Sequence, residues 1–136
     1  MQRKVGVSVF NTCPCGSGRA FAVCCAPYLG DTASPPTAEA LMRSRYTAYT
    51  LGRLDYLRDT WHPTTCPPAL QPVPGLQWLG LQIKRVEAGG EGDATGLVEF
   101  VARSKQGGRA ERLHEISTFE RVNGRWVYCH GTVHHS

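Results

Sequence analysis

The spacing of apolar residues changes along the chain from a helical period to a strand period. In the stretch 38–51, Met42, Tyr46 and Tyr49 stand at positions i, i+4 and i+7, and no proline or glycine interrupts them. That spacing puts the three side chains on one face of a helix. Thr37 precedes the stretch and is a preferred N-cap residue, because its hydroxyl can accept a hydrogen bond from a free backbone N–H of the first turn. The pattern predicts a helix over residues 38–51.

A second, shorter helix is predicted over residues 53–61. Leu54, Leu57 and Trp61 recur in it at helical spacing. Pro63 ends it, because proline lacks the backbone N–H that a continuing helix needs. The stretch that follows is rich in proline and is predicted to be an irregular loop.

From residue 76 onward the apolar period is two. Leu79, Leu81 and Ile83 alternate with glycine, glutamine and lysine, which is typical of a strand with one buried face. Three further strands are predicted, over residues 97–101, 113–122 and 125–129. The Asn123-Gly124 pair favours a tight hairpin, because both positions tolerate positive φ. Helices followed by four sequential strands predict an α+β domain in which the long helix covers one face of a curved antiparallel sheet.

The composition fits a small globular protein. The chain has 136 residues, of which 41% are hydrophobic and 19% charged, and its formal net charge is +4. Lysine and arginine are scattered, which argues against a basic arm for nucleic acid. No apolar run approaches the ~18 residues of a membrane span, and Asn11-Thr12-Cys13 interrupts the N-terminus before a signal-peptide core could form. We therefore expect a cytoplasmic protein that does not bind membrane. Nucleic acid is the least favoured of the partners considered, and the sequence leaves the oligomeric state open.

Four of the six cysteines cluster near the N-terminus. Eight residues separate the pair Cys13 and Cys15 from the pair Cys24 and Cys25. Four thiolates can close a tetrahedron around one Zn²⁺, and they leave no coordination position open for catalysis. We expect one structural zinc ion on these four residues; a labile disulfide, reduced thiols and iron are alternatives that the spacing leaves open. The two remaining cysteines are interpreted as incidental thiols: Cys66 and Cys129.

The cysteine cluster resembles a known zinc knuckle. The run Cys-Pro-Cys-Gly-Ser-Gly at 13–18, followed by Phe21 and the second cysteine pair, is similar to the SEC-C motif at the C-terminus of the SecA translocation ATPase. The last ligand of that motif is His or Cys, and Cys25 occupies its position here. The SecA knuckle contacts other proteins, so the resemblance implies that the knuckle of this chain docks to another protein.

The remainder of the chain is similar to the bacterial YchJ family. The resemblance rests on five further segments: 37–46, 60–63, 98–100, 114–119 and 124–126. Family members join an N-terminal SEC-C motif to a cone of antiparallel sheet wrapped on helices, the nuclear transport factor 2-like fold. The resemblance therefore implies a lead-in and knuckle over residues 1–30 and a cone domain over residues 31–136. It implies no reaction.

A cone of this kind often holds a pocket between helix and sheet, which leaves open whether the protein is an enzyme. The expected pocket residues are Arg43, Arg45, Tyr46, Trp61, His62 and Glu115. No catalytic residue is assigned among them, and Trp78 and Trp126 are interpreted as core or cross-strand residues. The leading hypothesis is a zinc-binding accessory protein with a docking knuckle. The alternative is a small-molecule enzyme or ligand-binding protein that uses the cone.

Arg43 and Arg45 stand two positions apart on the predicted helix and therefore point in different directions. We expect one of them to pair with a sheet carboxylate, Glu115 or Glu99, and so to hold the helix against the sheet. The sequence leaves open whether the odd-numbered or the even-numbered residues from 113 to 119 face the helix.

Overall fold

The computed structural model describes residues 12–134. In that part of the chain a 3-10 turn at Phe21–Val23 precedes helices α1 (Ala26–Leu29), α2 (Ala38–Leu51) and α3 (Leu54–Asp59), and four strands follow, β1 (Gln77–Ala88), β2 (Thr95–Gln106), β3 (Arg109–Val122) and β4 (Arg125–Val133). None of these described helices is long and apolar enough to cross a membrane. Two parts of the predicted domains lie outside the described residues: residues 1–11, the lead-in and the start of the knuckle, and residues 135–136, the end of the cone domain.

Helix α2 begins and ends where the sequence predicts. The Thr37 hydroxyl oxygen accepts a hydrogen bond from the Ala40 N–H at 3.1 Å, which satisfies a donor of the first turn. Gly52 follows the helix with a φ of 72°, a left-handed conformation that glycine adopts without steric penalty. The result is an uninterrupted helix of 14 residues that can present different faces to different parts of the molecule.

Helix α3 is shorter than the predicted 53–61, because the backbone that follows it pairs with β4. The Tyr128 N–H donates to the Thr60 carbonyl at 2.8 Å, and the His62 N–H donates to the Tyr128 carbonyl at 2.7 Å. Trp61 lies between these bonds in a parallel bridge to Tyr128, so the prediction that it belongs to the helix is wrong. The bridge sets its indole against β4.

The four strands form one antiparallel sheet in the order β1-β2-β3-β4, which confirms the predicted meander and the α+β class. Strands β2 and β3 are longer than predicted and continue through pairs such as Lys105 with Ala110. These outer residues are exposed on both strands, so no apolar alternation marks them in the sequence. Gly107 and Gly108 join them with positive φ at both positions.

Over residues 113–119, the odd-numbered residues of β3 face the core that α2 covers. Ser117 and Phe119 are each 1% exposed, and Leu113 packs against the main buried cluster. The four clustered cysteines belong to that same cluster, so the knuckle (here the described residues 12–30) packs on the core that the helix and sheet share. A domain boundary at residue 30 stays a prediction.

The first turn of α2 lies very close to the turn between β1 and β2. The Ala38 N–H donates to the Gly89 carbonyl at 2.9 Å, and Ala38 is fully buried. A Cβ added at Gly96 would lie 2.6 Å from the Gly89 Cα and 2.9 Å from the Ala38 Cβ. Three small residues therefore allow the helix to meet the sheet at this end.

Candidate metal centre and neighbouring cavity

A tight loop and the 3-10 turn after it build the candidate metal centre. The Cys13 N–H donates to the Arg19 carbonyl at 2.9 Å, which closes the loop, and Gly16 turns it with a φ of 82°. A Cβ at Gly16 would lie 2.8 Å from the Leu81 carbonyl oxygen, so glycine also allows the loop to lie on β1. The 3-10 turn Phe21–Val23 then returns the chain, and the second cysteine pair meets the first.

The four cysteine sulfurs converge on one point. All lie within 4.8 Å of one another; the Cys15 and Cys24 sulfurs are 3.6 Å apart, and the Cys24 and Cys25 sulfurs 4.0 Å. Metal–sulfur bonds of ~2.3 Å in a tetrahedron require sulfurs ~3.8 Å apart. Cys13, the fourth member, is 3% exposed, and the others are at most 8% exposed. The cluster therefore fits a closed, four-sulfur metal site.

Helix α2 supplies polar groups to this cluster. The Thr47 hydroxyl lies 3.4 Å from the Cys25 sulfur and 3.7 Å from the Cys13 sulfur. One turn earlier, Arg43 Nη1 donates to the Cys15 carbonyl at 2.8 Å and lies 4.0 Å from the Cys15 sulfur. A hydroxyl donor and a guanidinium so close to sulfur stabilise thiolates. The helix thus holds the knuckle and favours its charged state.

Hydrogen bonds among the thiols separate their pKa values. The contact with the Cys25 thiol, aided by Ser17, lowers the pKa of Cys15 to about 4 in spite of burial, which raises it. The same contact with Cys15, together with burial, raises the pKa of Cys25, and burial raises the pKa of Cys24. Full deprotonation of the cluster therefore calls for the positive charge that a bound metal ion supplies.

Replacing Thr47 by valine will weaken metal binding by about tenfold to a hundredfold, the usual effect of losing a group that steadies a ligand. Valine keeps the shape of the fully buried threonine and removes the hydroxyl that touches two sulfurs. Competition with a chromophoric chelator measures the affinity. The control is Thr50→Val on the same helix, where the hydroxyl donates to the Thr47 carbonyl at 2.7 Å and not to sulfur. Equal affinities for the two variants would show that the Thr47 hydroxyl does not support the site.

The face of α2 that points at the sheet borders a cavity of about 210 Å³. Four of the six residues expected in a pocket line it: Arg45, Tyr46, Trp61 and Glu115. Arg43 lies at the sulfur cluster instead. The His62 ring accepts a hydrogen bond from the Thr64 N–H at 3.1 Å and lies outside this cavity. The helix therefore separates two sites, with the sulfurs on one face and the cavity on another.

Arg45 is the most buried charged residue of the cavity wall, with an exposure of 3%. Its Nη1 donates to the Leu57 carbonyl at 2.9 Å and to the Thr60 hydroxyl at 2.8 Å. The guanidinium carbon lies 4.8 Å from the centre of the Trp61 ring and 4.7 Å from that of the Tyr128 ring, within the range of cation–π contact. These contacts hold the end of α3 against α2 and β4.

The expected ion pair between an arginine of α2 and a sheet carboxylate is wrong. Glu99 binds His114 at 2.7 Å and Arg85 at 3.0 Å, and Arg43 pairs with Glu39 of its own helix at 3.0 Å. Glu115 lines the cavity and accepts hydrogen bonds from the Ser117 hydroxyl at 2.6 Å and the Tyr128 hydroxyl at 3.3 Å. Hydroxyls from the sheet thus occupy the place that the arginine was expected to take.

The sequence did not identify three cavity residues that carry a hydroxyl group: Tyr49, Ser117 and Tyr128. Ser117 shares the alternation of Glu115 on β3, so it would have been found once the inward face was known. Trp126 is 2% exposed and is core as expected. Trp78 packs against the same core cluster and also lines the cavity beside the Tyr46 ring. Of the two isolated cysteines, Cys129 is buried, and burial raises its pKa to about 11. Neither Cys129 nor Cys66 belongs to the sulfur cluster.

Comparison with known proteins covers both the knuckle and the sheet. The chain matches the family model "YchJ, middle NTF2-like domain" over residues 37–131 and the SEC-C motif over residues 11–27. A "UPF0225 protein" of Chromobacterium violaceum is 59% identical over 125 residues, which are 89% of this chain and 92% of that protein. The solution structure of a SEC-C motif containing protein from Rhodopseudomonas palustris has a TM-score of 0.80 and 34% identity, over 91% of this chain and 99% of that one. A crystal structure of a second such protein, from Psychrobacter arcticus, has a TM-score of 0.70 and 25% identity, over 96% and 86% of the two chains.

Proposed function

The chain belongs to the YchJ family, and we propose that it is a zinc-binding accessory protein whose knuckle docks to another protein. In this proposal one structural Zn²⁺ is ligated by four residues: Cys13, Cys15, Cys24 and Cys25. The observation that carries it is the convergence of their buried sulfurs within 4.8 Å of one another. The SEC-C motif over the same residues supports it.

Zinc is the metal that the chemistry of the cluster favours. Four thiolates are a soft donor set, and zinc accepts a tetrahedral arrangement of them without preference from its d electrons. The four cysteines would fill all four coordination positions of the ion, which would leave none open for a substrate and would make its role structural. Iron is the competing metal for the same donors, and metal analysis distinguishes the two.

A cytoplasmic location is part of the proposal. Thiolate ligands need a reducing compartment, because an oxidising one favours disulfides. All six cysteines lie in the described part of the chain, and each of them is free. The cluster therefore suits a protein that meets its metal in the cytoplasm.

The docking part of the proposal rests on the outer side of the knuckle. Val23, at the end of the 3-10 turn, is 60% exposed, and Arg19 Nη2 donates to its carbonyl at 2.6 Å. Bonds from four sulfurs to one ion would fix this turn, and a rigid surface loses little conformational entropy on binding. The SecA knuckle contacts other proteins, and the resemblance to it favours a protein as the binding partner of this surface.

Replacing Val23 by glutamate will abolish capture of the partner and leave one zinc per chain, because a charge added to an apolar contact disrupts docking without touching a sulfur. The control is Val73→Glu, since Val73 is 51% exposed and lies in the loop before β1. The immobilised full chain is incubated with bacterial extract, and captured proteins are identified by mass spectrometry beside the metal content of each variant. A protein held by wild type and V73E but not by V23E supports docking. If the V23E variant still captures that protein, the docking role is contradicted. If wild-type protein contains no zinc, the structural role of zinc is contradicted.

A further inference from the structure

The cavity beside α2 holds a buried cation whose hydrogen bonds are incomplete. A guanidinium has five N–H donors, and within residues 12–134 the acceptors of Arg45 are the Leu57 carbonyl and the Thr60 hydroxyl, both at Nη1. The ion pairs of that part of the chain do not include Arg45. Burial lowers the pKa of Arg45, because the charged form loses hydration. A buried guanidinium with free N–H donors and no ion-pair partner favours an anionic ligand.

Trp61, a residue of the cavity wall, carries a second buried donor without an acceptor. The indole Nε1 of Trp61 is buried and has no hydrogen-bond partner among the described residues. Trp61 lines the cavity, and the Arg45 guanidinium lies over its ring. The free N–H donors of the Arg45 guanidinium match the two oxygens of a carboxylate, and the Trp61 ring lies against that guanidinium.

We propose that this cavity binds a small aromatic carboxylate. Its volume of about 210 Å³ exceeds the ~150 Å³ of a cavity that holds benzene, so a six-membered ring with a carboxylate fits. The side walls are aromatic: the Tyr46 and Trp78 rings meet edge to face at 5.8 Å, and Trp61 and Tyr128 meet at 5.1 Å. Aromatic walls favour a planar apolar body between them.

Glu115 determines which functional group the ligand carries away from its carboxylate. A carboxylate in the cavity repels a second carboxylate and accepts a hydrogen bond from a hydroxyl or amino group. The ligand therefore places its own carboxylate at Arg45 and carries a hydroxyl or amino group that faces Glu115. Gly131 of β4 is required for this arrangement, because a Cβ at Gly131 would collide with the Glu115 side chain. The ligand class is a hydroxy- or amino-substituted benzoate.

The test is titration of the metal-bound full chain with 4-hydroxybenzoate, followed by NMR of the indole N–H groups. We expect a saturable shift of the Trp61 signal. The neutral isostere 4-hydroxybenzamide has the same shape without the charge, and we expect it to bind at least about tenfold more weakly. No saturable shift up to ~10 mM, or equal affinity for the acid and the amide, overturns the proposal.

Two variants and one control locate the site. Arg45→Gln removes the cation, and Ala102→Leu fills the cavity from β2, where Ala102 is 2% exposed, with the guanidinium left in place. We expect each to weaken 4-hydroxybenzoate binding at least about tenfold. Arg58→Gln changes an exposed arginine of α3 and leaves binding unchanged. Circular dichroism checks that the variants fold; if R45Q does not fold, A102L decides, and unchanged binding by folded A102L overturns the proposal.

Discussion

Replacing Cys15 by serine will release the metal ion and lower the melting temperature by roughly 10 °C or more. Structural zinc supplies on the order of 10 kcal/mol to folding in zinc-finger peptides. Even ~3 kcal/mol of that would shift the melting temperature by ~10 °C in a domain of this size. Cys15 is fully buried, so the variant also leaves a buried hydroxyl among three thiols. Thermal unfolding followed by circular dichroism and metal content by mass spectrometry measure the two effects.

The effect of metal loss will extend past the knuckle. The cysteines share one buried cluster with Leu41, Phe119 and Trp126, which belong to α2, β3 and β4. When the sulfurs lose their ion, protonated thiols repack against this cluster, and the indole N–H signal of Trp126 in an NMR spectrum shifts. Its shift would distinguish a knuckle coupled to the sheet from one that unfolds alone.

The matched control for this prediction is Cys66→Ser. Cys66 is half-buried and lies outside the sulfur cluster, so the same substitution there keeps the metal and changes the melting temperature by no more than ~2 °C. A chelator should reproduce the C15S melting temperature in wild-type protein and add nothing in the variant. A C15S protein with full metal content and wild-type melting temperature would contradict the proposed ligand set.

Features that depend on one residue and its neighbours were predicted from the sequence. Thr37 marks the start of α2, because its hydroxyl caps the first turn of the helix. Gly52 marks the end, because glycine readily adopts the positive φ at which the chain leaves a helix. Asn123 and Gly124 form the last hairpin with φ of 53° and 81°. The cysteine cluster could be predicted for the same reason, since the two pairs and the glycines between them lie in a single short segment.

The partners of charged groups could not be predicted, because they depend on distant segments. Arg43 donates to the backbone carbonyl of Cys15, 28 positions away in the chain. Every residue has such a carbonyl, so the sequence does not show which one the arginine will bind. Arg45 depends on where α3 ends, and that end is set by backbone pairing with Tyr128. Glu115 keeps its inward position because Gly131 lacks a side chain. That contact depends on the register between β3 and β4, which the sequence does not show.

Replacing Gly96 by valine will destabilise the protein by ~3 kcal/mol, at the upper end of the range for overpacking. A Cβ at this position would lie 2.6 Å from the Gly89 Cα and 2.9 Å from the Ala38 Cβ, so backbone atoms themselves must move. Intrinsic strand propensity predicts the opposite sign, because valine is favoured over glycine in a strand. The free energy of unfolding, measured with urea, decides between the two.

The chain offers a matched position for this test at Gly92. A Cβ there meets nothing within 4 Å, and Gly92 does not have positive φ, so Gly92→Val should change stability by no more than ~0.5 kcal/mol. A double-mutant cycle with Ala38→Gly identifies the contact: removal of the Ala38 methyl should recover part of the loss in the Gly96→Val background, since the two sites share one contact. If the effects of Gly96→Val and Ala38→Gly on stability are additive, Gly96 is not needed to make room for the start of α2. The close approach of helix and sheet would then need another explanation.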